Sequence, residues 1–341
     1  MDIIRKLLLY PPPLEGLGEV FLRFLKEWTL PVAITIGVGS YLLFAEVPAL
    51  EPASEVLGPF FDTIFPLSVF ATLFLTFSKV DFHQMRPHRW HLGVLAVQTL
   101  LVLLNVLVII ALQSSSLTSH PSPLTSPLLW EAILTCIIAP SATAAPVIVG
   151  KLGGNISTMS AFTVISSFTQ ALIIPVVFPL LEPSADISFT AAFLVILRKL
   201  ALVLLLPLVL GWVVQRAWQS LHRWIISKPN LSFYCWSFSL AITAGITLKN
   251  IMHSHAPWTL LLTIALATLF VCFIQYALGR GIGHWLGEPL NSGQALFQKN
   301  TALSIWVSYI YLNPIASVGA GCYVLWQNII NSLELWRHQN K

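Results

Sequence analysis

Charge is what this 341-residue chain has least of: 18 Lys and Arg with 14 Asp and Glu leave only 9% of its residues charged. Soluble domains carry about 25%, so the polar shell needed to cover a water-soluble body of this size is missing. No charge-rich stretch remains from which a separate soluble domain would be built. Cysteine is sparse too. Cys136, Cys235, Cys272 and Cys322 sit singly in apolar runs, without metal-ligand spacing or the pattern of a disulfide frame, and read as packing residues. The apolar runs also lack paired carboxylates, a nucleophile–base set and any His/Cys cluster, so membrane-enzyme chemistry has no groups to work with. No cofactor is implied.

What the chain has in abundance is apolar sequence, 56% of its residues. Cut at turn residues and charges, it yields ten segments of membrane-crossing length. They run over about 28–45, 58–78, 91–112, 128–150, 156–181, 190–215, 231–250, 257–280, 291–312 and 315–335. Residues 1–27 precede them and are read as a cytoplasmic or interfacial segment. The run Leu7–Leu9 meets Pro11, Pro12 and Pro13 too soon for a signal peptide. Beyond the prolines, Leu14, Leu17, Val20, Phe21, Phe24 and Leu25 recur at helical spacing opposite Glu15, Glu19, Arg23 and Lys26, the pattern of a helix lying in the membrane interface. Residues 336–341 form a cytoplasmic tail.

The net charge of +4 reports orientation rather than a nucleic-acid partner. In one set of alternate connections stand Arg5, Lys6, Arg23, Lys26, Lys79, Arg86, Arg89, Lys151, Arg216, Arg223, Lys228, Arg280, Arg337 and Lys341. The opposite set holds Lys249 alone, beside Glu46, Glu51, Glu55, Glu182, Asp186 and the uncharged linker Gln113–Pro127. Arg198, Lys199 and Lys299 fall within spans. That asymmetry expects ten spans in a cell membrane, inner or plasma, with both termini cytoplasmic. Ten spans divide into halves of five, 28–181 and 190–335, and an odd number per half turns the second upside down relative to the first. This is the inverted-repeat plan of many secondary transporters.

Two of the spans are built to break. The fourth contains Pro140, Ser141, Ala142, Thr143, Ala144, Ala145 and Pro146: two prolines remove backbone donors, and small residues between them admit another backbone. In hydrocarbon such a break survives only inside protein or beside a wet cavity. The ninth, its counterpart in the second half, carries Gln298, Lys299, Asn300 and Thr301. A lysine near the bilayer centre costs about 2.5–3.5 kcal/mol on insertion scales, so it turns to the protein interior and needs carbonyls, water or an anion. Interruptions in matching spans mark a transport site. The remaining embedded charges, Arg198 and Lys199 in the sixth span and Glu131 in the fourth, are read as pairing with one another or with headgroups. Asp62 at a span end, and His83, His88 and His91 in a basic connection, are read as solvated.

Four segments carry a resemblance to a known family. Met85-Arg86-Pro87 is followed by Trp90-His91-Leu92-Gly93. Pro140 to Leu152 is followed by the turn Gly154-Asn155. Leu205-Leu206-Pro207-Leu208-Val209-Leu210-Gly211 lies in the sixth span, and Val324-Leu325-Trp326-Gln327-Asn328-Ile329-Ile330-Asn331-Ser332-Leu333 in the last. In this order and spacing the chain resembles the bile acid:sodium symporter family, bacterial ten-helix type, over about 25–338.

The resemblance implies an all-α membrane protein with panel and core domains. The fourth and ninth helices would be broken and crossed at the site, and organic anions would be carried by alternating access. It also implies sodium ligands, which this chain has largely lost. The positions matching the family's Ser and Asn are Ala145 and Pro146. Of the fifth-span hydroxyls one is Met159 and Thr163 remains. The ninth-span Glu and Gln are Ala295 and Lys299. The third-span Gln matches Val97 or Gln98. Hard cations need several oxygen ligands, so sodium is expected not to bind, with Lys299 standing in for the ion. Because burial disfavours a charged lysine, proton coupling through Lys299 is the other route. Arsenite-carrying relatives use a cysteine at the position resembling Ser141, so arsenite is not the expected substrate. The leading expectation is a sodium-independent symporter-like carrier of a small organic anion in the lipid bilayer. The alternative is a non-transporting sensor or accessory subunit with the same fold.

Overall fold

The structure, a computed structural model, describes residues 29–80, 85–114, 122–182, 188–228, 230–253 and 256–339. The amphipathic segment within 1–27, His83, residues 115–121 of the uncharged linker, Asp186 and residues 340–341 lie outside the described residues.

The described residues fold as helices joined by short turns: α1 (Thr29–Glu46), α2 (Glu51–Phe77), α3 (Arg89–Ser114), α4 (Pro127–Ile138), α5 (Ala145–Lys151), α6 (Ile156–Leu181), α7 (Phe189–Leu200), α8 (Leu206–Ala217), α9 (Gln219–Ile226), α10 (Leu231–His253), α11 (Trp258–Leu286), α12 (Pro289–Phe297), α13 (Thr301–Tyr311) and α14 (Ala316–Gln339). A π-helical turn, Ala201–Leu205, joins α7 to α8. It stands just before Pro207, which has no N–H to continue the regular ladder. Among the described residues, six helical stretches are long and apolar enough to cross a membrane: Pro59–Phe77, Arg89–Ser114, Ile156–Leu181, Phe189–Ala217, Leu231–His253 and Trp258–Leu286. Val32–Ala45 and Pro127–Ile138 are shorter apolar stretches.

Boundaries differ from the sequence reading where capping and packing extend a helix. The α11 helix runs on to Leu286, so Arg280, counted above in a connection, lies inside it. The connection after α8 folds as α9, whose Leu221 and Ile225 pack against Leu75 and Val214. Residues 336–339 of the expected tail continue α14.

Packing sorts the helices into two groups. In the first, α1 lies along α10, and α2 packs on both α10 and α8. In the second, α11 packs on α12, α4 and α14, while α3 packs on α4 and α13 on α14. Small residues set the closest approaches. A Cβ on Gly37 would stand 1.9 Å from the Ala241 carbonyl oxygen, so α1 and α10 touch backbone to backbone. A Cβ on Gly319 would stand 2.2 Å from the Ala132 carbonyl oxygen, where α14 crosses α4. Forcing a larger side chain into such a contact costs about 1–3 kcal/mol. Gly319→Val is therefore expected to lower the unfolding temperature in detergent by several degrees, whereas Gly39→Val, with open space around it, leaves it unchanged.

Candidate functional site

The two interruptions are made by different chemistry. The first follows from Pro140: the residue before a proline is pushed out of the helical region, and Ala139 is extended at φ −58°, ψ 141°, ending α4. Pro146 does the opposite of what the sequence reading gave it. It stands in the first turn of α5, where a missing N–H costs nothing and the fixed φ favours helix. The second interruption has no proline. Gln298 is extended after α12, and the Asn300 side chain restarts the chain by accepting the Leu303 N–H at 3.2 Å, an N-cap for α13.

The interruptions meet. Ser141 and Lys299 form an isolated antiparallel bridge. The Ala142 N–H donates to the Gln298 carbonyl at 2.9 Å and the Asn300 N–H to the Pro140 carbonyl at 2.8 Å. Each broken segment thereby satisfies the other's backbone, which hydrocarbon cannot do. Side chains complete the pairing. Gln98 on α3 donates to the carbonyls of Ile137 (2.8 Å) and Ala139 (2.9 Å) at the end of α4. Of the two positions left open above, Val97 and Gln98, Gln98 is the one whose side chain bonds to the break. Ser166 on α6 accepts the Ser141 N–H at 3.0 Å. Gln327 on α14 grips Lys299 from both sides, accepting its N–H at 3.0 Å and donating to its carbonyl at 3.3 Å. Tyr323, one turn earlier, donates to the Phe297 carbonyl at 2.7 Å.

Lys299 is 1% exposed. Its ammonium has no hydrogen-bond partner among the described residues, and no carboxylate pairs with it there. A cavity of about 1740 Å³ reaches the bridge from one end of the bundle, between the two packing groups. Ala142, Thr143, Ala144, Pro146, Gln298, Lys299 and Asn300 line it, together with Thr72, Thr76 and Ser239 of the first group and Gln327, Asn328 and Asn331 of α14. Ser141, Ala145 and Thr301 are buried behind this wall. Lys79 and Lys151 stand near the cavity mouth, and no Asp or Glu lines it among the described residues.

Three of the positions expected above to correspond to sodium ligands have a different fate. Ala145, Met159 and Ala295, each 0% exposed, pack into one apolar cluster with Trp90, Val94, Val149, Phe162 and Leu296. Thr163, the hydroxyl that remained, donates to the Met159 carbonyl of its own helix at 3.0 Å. The residue that α6 does offer the crossing is Ser166, one turn further on, which sequence reasoning missed.

Other expectations need correction. His91 is not solvated: it is 1% exposed, its Nδ1 accepts the His88 N–H at 3.2 Å, and its ring packs on Trp90 and Phe162. Glu131, also buried, pairs with neither Arg198 nor Lys199 among the described residues; the Lys199 ammonium lies 5.4 Å from the centre of the Tyr311 ring instead. A second polar network was not foreseen. Glu334 on α14 accepts from Tyr276 of α11 and from Gln294 of α12 (2.7 Å), and its carboxylate stands 3.5 Å from Arg280. The spacing Gln327, Asn331, Glu334 along α14 held the clue, since it places all three on one helical face.

Helices of membrane-spanning length around two crossed half-helix pairs define a polytopic membrane transporter architecture. The SBF-like CPA transporter family matches residues 68–307, more than two thirds of the chain, and the chain belongs to it. This is a family of multi-pass membrane transporters resembling the bile acid:sodium symporters. No curated protein matches the chain.

The grip of Gln327 gives a direct expectation. Replacing it with Leu leaves the Lys299 N–H buried and unpaired, a loss of about 1–3 kcal/mol, while the Lys299 carbonyl keeps the Thr301 N–H at 2.9 Å. Thermal unfolding of Gln327→Leu in detergent should fall well below that of Asn328→Leu. Among the described residues, the side chain of that neighbour bonds within its own helix, to the Val324 carbonyl.

Proposed function

We propose that this protein is a secondary carrier of small organic anions that works by alternating access without the family's sodium sites, a lysine ammonium holding the place of the ion. The observation that carries the reading is the apolar cluster of Ala145, Met159 and Ala295 beside a crossing that contains Lys299. These three side chains offer a hard cation no oxygen, and an ammonium next to the site repels it further.

The anion class follows from the cavity. Three lysines and a set of amides and hydroxyls line it, with no carboxylate among the described residues. The N-termini of α5 and α13 start at the crossing, where helix dipoles favour negative charge. In this reading the chain has ten spans in two inverted halves, 28–181 and 190–335. The first packing group is the panel and the second the core. Both termini are cytoplasmic, and the cavity, whose mouth carries basic residues, opens inward. Lys299 acts as a fixed charge or, by exchanging its proton with the cavity, couples transport to protons.

The test is thermal stabilisation of purified protein by a panel of carboxylates, sulfonates and sulfate esters, in sodium and in choline buffer. At least one anion should raise the unfolding temperature equally in both, and Lys299→Ala should lose that increment. Stabilisation that grows saturably with sodium contradicts the proposal. A panel without a hit favours the sensor or accessory reading. Since a buried ammonium without a partner is a cost to folding, ligand-free Lys299→Met is expected to unfold at or above the wild-type temperature. A marked drop would mean that Lys299 is a structural tie.

A further inference from the structure

The region around α9 has a composition found nowhere else in the chain. Between Asp186 and Glu288 there is no acidic residue, and on this acid-free background Arg216, Arg223 and Lys228 cluster at the end of the bundle where the cavity opens. All three are exposed. Three tryptophans alternate with them at six-residue intervals. Trp212 is 44% exposed, Trp218 60% and Trp224 52%, and Ile226 beside them is 52% exposed. The Arg216 guanidinium lies 5.2 Å from the centre of the Trp212 ring.

The short helix is held in place by its other side. Leu221 and Ile225 are inserted against Leu75 and Val214. Just upstream, Gln215 donates to the carbonyls of Phe77, Ser78 and Val80, tying α8 to the end of α2. The face turned away from protein is therefore fixed, aromatic and cationic. Large indoles left uncovered beside arginines suit neither water nor the hydrocarbon centre; they suit the headgroup layer, where an indole lies at the boundary and a guanidinium meets phosphate.

We propose that α9 and its flanks form a binding site for anionic phospholipid headgroups. Arg216, Arg223 and Lys228 contact phosphate, while Trp218, Trp224 and Ile226 lie among the upper acyl chains. Charge complementarity selects the lipid class, because among the described residues α9 and its flanks contribute no carboxylate to repel it. The site adjoins the cavity rim: the Lys79 ammonium donates to the Lys228 carbonyl at 3.1 Å and to the Ser232 hydroxyl at 3.1 Å, and Lys79, Asn230 and Ser232 all line the cavity. A lipid held on α9 thus braces the segment that frames the cavity mouth.

Each basic side chain near an anionic surface contributes roughly a fivefold preference, so the three together give about a hundredfold. The test is thermal unfolding in nanodiscs of phosphatidylcholine alone and of phosphatidylcholine with phosphatidylglycerol. Phosphatidylglycerol should raise the unfolding temperature of wild type. Arg216→Ala/Arg223→Ala/Lys228→Ala should lose the rise, and Arg216→Lys/Arg223→Lys should keep most of it. The proposal is overturned by no rise in wild type, by an equal rise in the triple alanine variant, or by an equal rise from free glycerol 3-phosphate in phosphatidylcholine nanodiscs. If the alanine variant does not fold, phospholipid retained by wild type through detergent extraction decides. Enrichment of phosphatidylglycerol over the source membrane supports the site, and parity overturns it.

Discussion

Two hydrogen bonds between interrupted helices govern the rest of this molecule. A helix that stops inside a membrane exposes carbonyls and N–H groups that lipid cannot satisfy, at several kcal/mol for each group left bare. Here the break after α4 and the break after α12 bond to each other, Ala142 to Gln298 and Asn300 to Pro140. Everything nearby serves that pairing. Gln98 takes the last carbonyls of α4, Ser166 takes the Ser141 N–H, and Gln327 holds Lys299 on both sides. The small residues between Pro140 and Pro146 allow the backbones to come this close, as Gly319 does where α14 crosses α4.

With the backbone settled by protein, the side chains at the crossing are free for ligand chemistry. An ion site needs oxygens around a small void. Under the proposed function, the positions expected to correspond to ion ligands close as an apolar cluster of Ala145, Met159 and Ala295 with Trp90 and Phe162, and among the described residues the charged side chain at the crossing is Lys299. Such a group does not diffuse away when the site changes its exposure. In this account the driving energy has to come from the anion's own gradient, with Lys299 a fixed charge, or from protons that Lys299 exchanges with the cavity.

Much of this was legible in the sequence, for physical reasons that can be assigned residue by residue. Long apolar runs separated by turns locate helices because hydrocarbon tolerates little else. Pro140 and the polar run Gln298 to Asn300 located the interruptions because each is costly in the middle of a helix. What did not show were relations across the fold. Pro146 reads as a breaker until its place in the first turn of α5 is known. Ser166 is one of several hydroxyls on α6, and only packing selects it over Thr163. His91 looks like a loop residue until Trp90 and Phe162 cover it, and Glu334 has no evident partner until α11 and α12 are brought beside α14. A one-turn error in assigning a hydroxyl or a carboxylate is invisible to periodicity and decisive for chemistry.

The central claim is that a side chain has replaced the ion at the crossing. Direct binding of radioactive sodium to the purified protein, with excess unlabelled sodium as competitor, tests it without requiring the substrate to be known. The account predicts no displaceable binding above that of an empty detergent or nanodisc control. Saturable, displaceable binding, lost on substitution at Gln98, Ser166 or Gln327, would contradict it.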